Sequence, residues 1–283
     1  MKLAVYGARM KFHIAFTLLA AVALGSCSSA PQRPGKPAAV VQQTLLMPEL
    51  QTEPQPDPRW AQLRRLQRLA PQLDAGVLAL ALEARGCAID SGERGIGTRL
   101  AVIDYSLPST AKRLWVFDLA REALLYHEHV SHGQGSGENF ARRFSNIEGS
   151  YQSSLGLYRT AETYVGANGY SLRLDGLDTG FNDAARQRAI VMHGAWYAEP
   201  ELIAKQGRLG RSQGCPALRH GIARQVIDDL KQAQLLFAYA EHDEWLGKSR
   251  YFSCRTGVDA QRIMADARRM LHGGMPMDAV AAL

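Results

Sequence analysis

Nowhere do the 283 residues hold an apolar run long enough to cross a bilayer as a helix: residues 14–24 are apolar for eleven positions, where about twenty are needed. A membrane-spanning helix is thereby excluded. There is no Cys-x-x-Cys pair and no Cys/His pair at zinc spacing, so neither a structural metal nor a cofactor is expected. Lys/Arg runs interleaved with aromatics are missing too. The formal charge of +6 falls to +3 once residues 1–27, with three basic and no acidic side chains, are set aside. That is too mild a balance for a nucleic-acid partner. The glycine-rich stretch 131–137 lacks the Lys-Ser/Thr pair of a phosphate cradle, and no internal repeat is found.

What is there begins with a leader. Lys2, Arg9 and Lys11 precede the short apolar run, and Leu24-Gly25-Ser26-Cys27-Ser28-Ser29 follows it, the layout of a secretory signal over residues 1–27. Met10-Lys11 would serve equally as a start. Leu-Gly-Ser-Cys is similar to a bacterial lipobox, which makes Cys27 the lipidated residue and a lipid anchor the expected membrane partner. The expected location is periplasmic, at the outer membrane. Residues 28–59 are rich in Pro, Gln, Ala and Ser, too poor in apolar surface to offset ordering entropy, and read as an extended tether.

Four cysteines are present. With Cys27 carrying lipid, three remain, and in an oxidising compartment an odd thiol pairs between chains or stays free for chemistry. Cys87 lies ahead of the first strand-like segment and Cys254 after the last, so a Cys87–Cys254 bridge would tie the two ends of the domain and leave Cys215 free. Spacing alone does not fix that connectivity.

A helical prelude is expected over 60–98, with helices at 60–69 and 72–85 separated by Pro71. From residue 100 the pattern changes to period two. Strands are expected at 100–105, 113–119, 123–130, 155–164, 171–174, 189–193 and 235–240, with one helix at 220–233. Many short strands at this spacing indicate a mainly β sandwich or barrel over 99–255. The tail, 256–283, is helix-like, Met-rich and expected at the periphery.

The densest run of unusual residues is Gly207-Arg208-Leu209-Gly210-Arg211-Ser212-Gln213-Gly214-Cys215-Pro216-Ala217-Leu218. Glycines let a backbone approach a ligand closely, and a thiol just ahead of a helix feels a dipole that favours thiolate. His193 closes an apolar strand and is followed by Gly194, which makes it the candidate base.

Val191-Met192-His193-Gly194 followed by Gly210 through Leu218 resembles the signature of the YkuD-type L,D-transpeptidase catalytic domain, in its murein L,D-transpeptidase-like branch. The resemblance extends through Val102-Ile103-Asp104-Tyr105-Ser106, Ser131-His132-Gly133, Phe144-Ser145-Asn146 and Ser153-Ser154-Leu155-Gly156, covering about 100–239. It implies an L,D-transpeptidase-type mixed β-sandwich with one helix after the cysteine and short helices at both ends. It also implies a cysteine acyltransferase acting on peptidoglycan stem peptides. Cys215 would be the nucleophile, His193 the base, and the N–H groups of Gly214 and Cys215 the oxyanion hole, with Arg211, Ser212, Gln213, His132 and Ser154 on the substrate. Gln213 departs from the family's Ser-His-Gly-Cys, and the gap between His193 and Ser212 is slightly long.

Other residues have two readings each. Arg219, like Arg211, could hold a substrate carboxylate or be a solvated charge. Tyr158 and Tyr197 could wall a groove or fill the core. His127 and His129 share a strand face without an acidic partner set for a metal. A peptidase on the same peptides, or a non-catalytic wall-binding lipoprotein, remains compatible with the sequence.

Overall fold

The computed structural model describes residues 58–271. The leader, Cys27, nearly all of the tether and the residues from His272 onward lie outside them.

Helix α1 (Pro58–Leu69) opens with proline at its first position, where a missing N–H costs nothing. It buries Leu63 and Leu66. Helix α2 (Ala75–Asp90) starts three residues beyond the expected position, where Asp74 as N-cap accepts a hydrogen bond from the Val77 N–H at 3.0 Å. It is apolar nearly all round because neighbours surround it: α1, the C-terminal helix and three strands of the sheet. Cys87 therefore sits on this helix. Helix α6 (Ala260–Leu271) buries Ala260, Ile263, Met264 and Ala267. A Cβ at Gly76 would stand 2.8 Å from the Met264 Cβ, and Arg268 forms a bidentate pair with Asp74. This part of the tail is thus packed into the structure and not peripheral. Cys87 and Cys254 are joined by a disulfide.

Eight strands form one mixed sheet: β1 (Arg99–Asp104), β2 (Leu114–Asp118), β3 (Ala123–Glu128), β4 (Gly156–Gly166), β5 (Gly169–Gly176), β6 (Val191–Gly194), β7 (Ala217–Leu218) and β8 (Leu235–Tyr239). Their order is β3-β2-β1-β8-β4-β5-β6-β7. The β1/β8 and β6/β7 pairs are parallel and the others antiparallel. The fold is mainly β and mixed, as the resemblance implies. Strands β2 and β8 are buried along their whole length and β1 nearly so, covered on both faces, so they read as apolar runs without clean alternation. Past β3 the chain reaches round to the far edge, where Ser131 bridges Ala217 and Gly133 bridges Ser212. The two ends of the strand order meet there. Between the short helices α3 (Glu201–Gln206) and α5 (Asp243–Lys248) in the sequence, helix α4 (His220–Leu230) buries Ala223, Val226, Ile227 and Leu230. It stops short of 233 because Gln232 and Ala233 take left-handed φ of 64° and 59°.

Candidate active site

The meeting of the two sheet edges builds the turn that carries Cys215. The Ser212 N–H donates to His132 O at 2.9 Å and the Gln134 N–H to Ser212 O at 2.8 Å. Within the turn, the Ser212 hydroxyl donates to Cys215 O at 2.6 Å and accepts from the Gly214 N–H at 3.1 Å. Gly214 has φ of +123°, and a Cβ there would lie 2.8 Å from Gln152 O. Only glycine suits both demands.

Cys215 is the one free thiol among the described residues and is 8% exposed. Its Sγ accepts from the Val191 N–H at 3.4 Å and donates to Ala189 O at 3.7 Å. Burial pushes the thiol above its ordinary range, while the Val191 N–H and the Arg188 charge pull it down.

His193 lies two residues beyond Val191 on β6, hence on the same face and about 7 Å further along the strand. Its Nδ1 donates to Gly194 O at 3.0 Å, since a carbonyl can only accept. The lone pair is therefore on Nε2, where the Tyr197 hydroxyl stands at 3.4 Å. Burial, with the neighbouring His220, lowers its pKa, so the imidazole is neutral at pH 7. Sulfur and imidazole open into the same cavity, about 690 Å³, walled also by Gln134, Tyr151, Arg188 and Gln213. Among the described residues no hydrogen bond joins them directly.

The structure sorts the other candidates. Arg211 lines the cavity but is held by Glu138 at 2.7 Å and by Gly137 O at 3.1 Å. Gln213 lines it with an exposed side chain. Ser212 faces its own turn. Gly214 spends its N–H on Ser212, whereas the Cys215 and Gln213 N–H groups find no acceptor among the described residues. His132 is fully buried behind the wall, its Nδ1 accepting from Arg113 at 2.7 Å and its Nε2 donating to Gly137 O. Burial and the Arg113 charge lower its pKa to about 3. Ser154 is buried too and donates to Ser145 O at 2.8 Å. Arg219 is paired with Glu128 at 2.9 Å. Tyr158 belongs to the core, and Tyr197 to the cavity. His127 stacks on Trp115.

Arg188 escaped the reading of the sequence. Nothing in Arg186-Gln187-Arg188 separates the two arginines by type, yet Arg186 pairs with Asp175 and Glu162 on the surface while Arg188 turns into the cavity wall.

A thiol between a backbone N–H and a carbonyl, a neutral imidazole with its lone pair in the same cavity, and N–H groups without acceptors at Cys215 and at Gln213 in the same turn can support attack on a carbonyl. The model of the YkuD_2 L,D-transpeptidase catalytic domain matches residues 69–239, and the chain belongs to that family. Among solved structures, it is similar to an L,D-transpeptidase from Mycobacterium smegmatis at 14% identity and TM-score 0.32, over 50% of this chain and 59% of that one. An L,D-transpeptidase from Stackebrandtia nassauensis matches at 12% identity and TM-score 0.31, over 63% and 76%. L,D-transpeptidase 3 from Mycobacterium tuberculosis matches at 14% and 0.30, over 50% and 61%. The chain thus spans under two thirds of the length of the first and third of these. No curated protein matches it.

Proposed function

We propose that this chain is a peptidoglycan L,D-transpeptidase working through a thioester on Cys215. The observation that carries the reading is the unpaired Cys215 sulfur opening into one cavity with His193, whose Nε2 carries the lone pair and meets only the Tyr197 hydroxyl at 3.4 Å. The thiol proton passes to His193 Nε2 as the sulfur attacks the stem-peptide carbonyl between the L-centre of the third residue and the terminal D-residue. The N–H groups of Cys215 and Gln213 receive the oxyanion, a donor of this kind being worth about 3 kcal/mol in the transition state. His193 returns its proton to the departing amine, leaving a thioester. An acceptor amine then attacks, loses its proton to His193, and the thiolate departs. In this reading Cys27 carries the lipid, and the domain works in the periplasm, tethered to the outer membrane.

The test is mass analysis of tetrapeptide-bearing muropeptides incubated with the full chain and a D-amino acid. Exchange of the terminal residue is expected, abolished in Cys215→Ala and slowed about 10²- to 10⁴-fold in His193→Ala. Undiminished turnover in either variant overturns the assignment. Loss of the terminal residue with no exchange makes the protein a peptidase on the same substrate.

A further inference from the structure

Arg188 is the cation that faces the sulfur, and no carboxylate among the described residues pairs with it. Its guanidinium donates to Ser145 O at 2.6 Å, Ser154 Oγ at 2.5 Å, Gln152 O at 2.7 Å and Ser150 Oγ at 3.2 Å. All four acceptors are uncharged. The neighbouring arginines are matched: Arg208 and Arg211 with Glu138, Arg186 with Asp175 and Glu162. Partial burial disfavours the Arg188 charge, and Tyr158, Cys215 and the more distant Glu148 carboxylate offset this only in part; a desolvated cation hydrogen-bonded to neutral acceptors gains from an anion placed beside it. The place for one is defined. A Cβ on Gly214 would be 3.5 Å from Arg188 Nη2, so the guanidinium lies against the residue preceding Cys215. The next residue of its own chain, Ala189, accepts from the Cys215 sulfur.

We propose that Arg188 is a positioning residue for Cys215: its fixed charge is the counter-ion of the thiolate, and its four hydrogen bonds set that charge beside the sulfur. When the thiol proton moves to His193 Nε2, the negative charge left on sulfur meets Arg188, and the imidazolium is free to turn toward the leaving amine. The absence of a direct sulfur–imidazole hydrogen bond fits this division, because the thiolate then needs no imidazolium at contact distance. The inference rests on the reading of Cys215 as the nucleophile.

The other titratable groups around the sulfur and Arg188 are His193 and Tyr197 from the β6 end, Tyr105 beyond β1 and Tyr158 on β4, with Tyr151, Tyr164, Glu148 and Arg211 lining the cavity. Tyr105 and Tyr197 are pushed up by burial, Tyr105 to about 12. His193 titrates below its ordinary range.

The experiment is iodoacetamide alkylation of Cys215 in the full chain, followed by peptide mass across pH, for wild type, Arg188→Gln and Arg188→Lys. Glutamine keeps donors and removes charge; lysine keeps charge and removes the planar fork. The expectation is a thiol midpoint about one pH unit or more higher in Arg188→Gln, with alkylation at pH 7 about tenfold slower. Arg188→Lys is expected to keep a midpoint close to wild type. An unmoved midpoint in Arg188→Gln, with slowing by one factor at every pH, overturns the proposal in favour of a purely structural brace. Should Arg188→Gln fail to fold by circular dichroism, a folded Arg188→Lys whose midpoint rises by a full unit overturns it, and one that keeps the wild-type midpoint supports it. Alkylation requires no peptide substrate. Expected midpoints without muropeptide turnover would therefore sink the transpeptidase reading and leave this one standing.

Discussion

Replacing Cys87 and Cys254 together by alanine is expected to destabilise the full chain by about 2–5 kcal/mol. The bridge joins residues 167 apart in sequence, so every strand of the sheet lies inside the loop it closes. Loop-closure entropy for that length comes to about 5 kcal/mol at 25 °C, which is a ceiling. The loss falls below it because the unfolded chain is more compact than a random coil. In addition, α6 keeps its contact with α2 through Met264 on Gly76 and the Arg268–Asp74 pair. For a domain of this size 1 kcal/mol is about 2–4 °C of melting temperature, so the midpoint should drop by about 5–20 °C. Thermal melts by circular dichroism, with and without dithiothreitol, read this directly. Reductant should move the wild type to the variant's midpoint and leave the variant where it is. A wild type that melts at one temperature in both conditions would show that the bridge contributes nothing, and that the two ends of the domain are held by packing alone.

Three further outcomes are expected. Ser212→Ala removes a buried hydroxyl that makes two bonds inside the Cys215 turn; it should cost about 1–3 kcal/mol in stability and at least about tenfold in muropeptide turnover, and unchanged turnover would show that the turn holds itself. Burial favours the neutral form of His193, so its pKa lies below the ordinary 6.5. The acid limb of kcat/KM should accordingly have its midpoint below pH 6.5, and a limb above that value would contradict the neutral-base assignment. Burial raises the Asp104 carboxyl from 3.8 to about 6. The folded state thus holds a proton there that the unfolded chain releases, and this favours folding at low pH and is lost as pH rises through 6. Asp104→Asn retains an acceptor for Ser106 and removes the charge, so it should raise stability above pH 6 by up to about 3 kcal/mol and give no gain near pH 3.5. An equal change at both pH values in chemical-denaturation curves would refute it.

Seven of the eight strands and both prelude helices are legible in the sequence, the helices and half-exposed strands from the spacing of their apolar residues and β1, β2 and β8 as short apolar runs bounded by turn residues. Strand β7 is not, since two residues carry no period and Ala217-Leu218 reads equally well as the approach to α4. The burial of α6 is invisible for a different reason. Its amphipathic face is plain, but the surface it covers is Gly76 and its neighbours on α2, some 190 residues away in the chain. The nucleophile candidate was found through its glycine-bordered context and the base through the strand end. Arg188 and the partners of His132 depend on which loops converge, and no local pattern encodes that. Read alone, Ser131-His132-Gly133 looks like a loop bordering the donor, whereas His132 in the fold anchors Arg113, which also donates to Val130 O and Leu107 O.

That anchoring explains why motif residues lie so far from the sulfur. The Cys215 turn is too short to fix its own geometry and borrows rigidity from the two segments it crosses. The Ser153 hydroxyl donates to Gly214 O at 3.1 Å and accepts from the Gly133 N–H at 3.0 Å, and the Ser153 N–H donates to the Ser136 hydroxyl at 2.9 Å. Ser136, Ser153, Gly133 and Gly214 are all buried, so an unmade bond in this chain would leave a polar group stranded without water. A Cβ on Gly133 would collide with Tyr151 O and come within 2.9 Å of the Gly214 Cα; the close approach of 133 to 214 is what lets Ser153 span them. Removing the Ser153 hydroxyl should therefore displace Gly214 and, with it, the two N–H groups that flank it, lowering the acylation rate through geometry while the thiol and the imidazole stay intact. The meeting of the two sheet edges thus brings the sulfur, its acceptor Ala189 O and the free donors into one place, and residues more than sixty positions from Cys215 act on its chemistry through that closure.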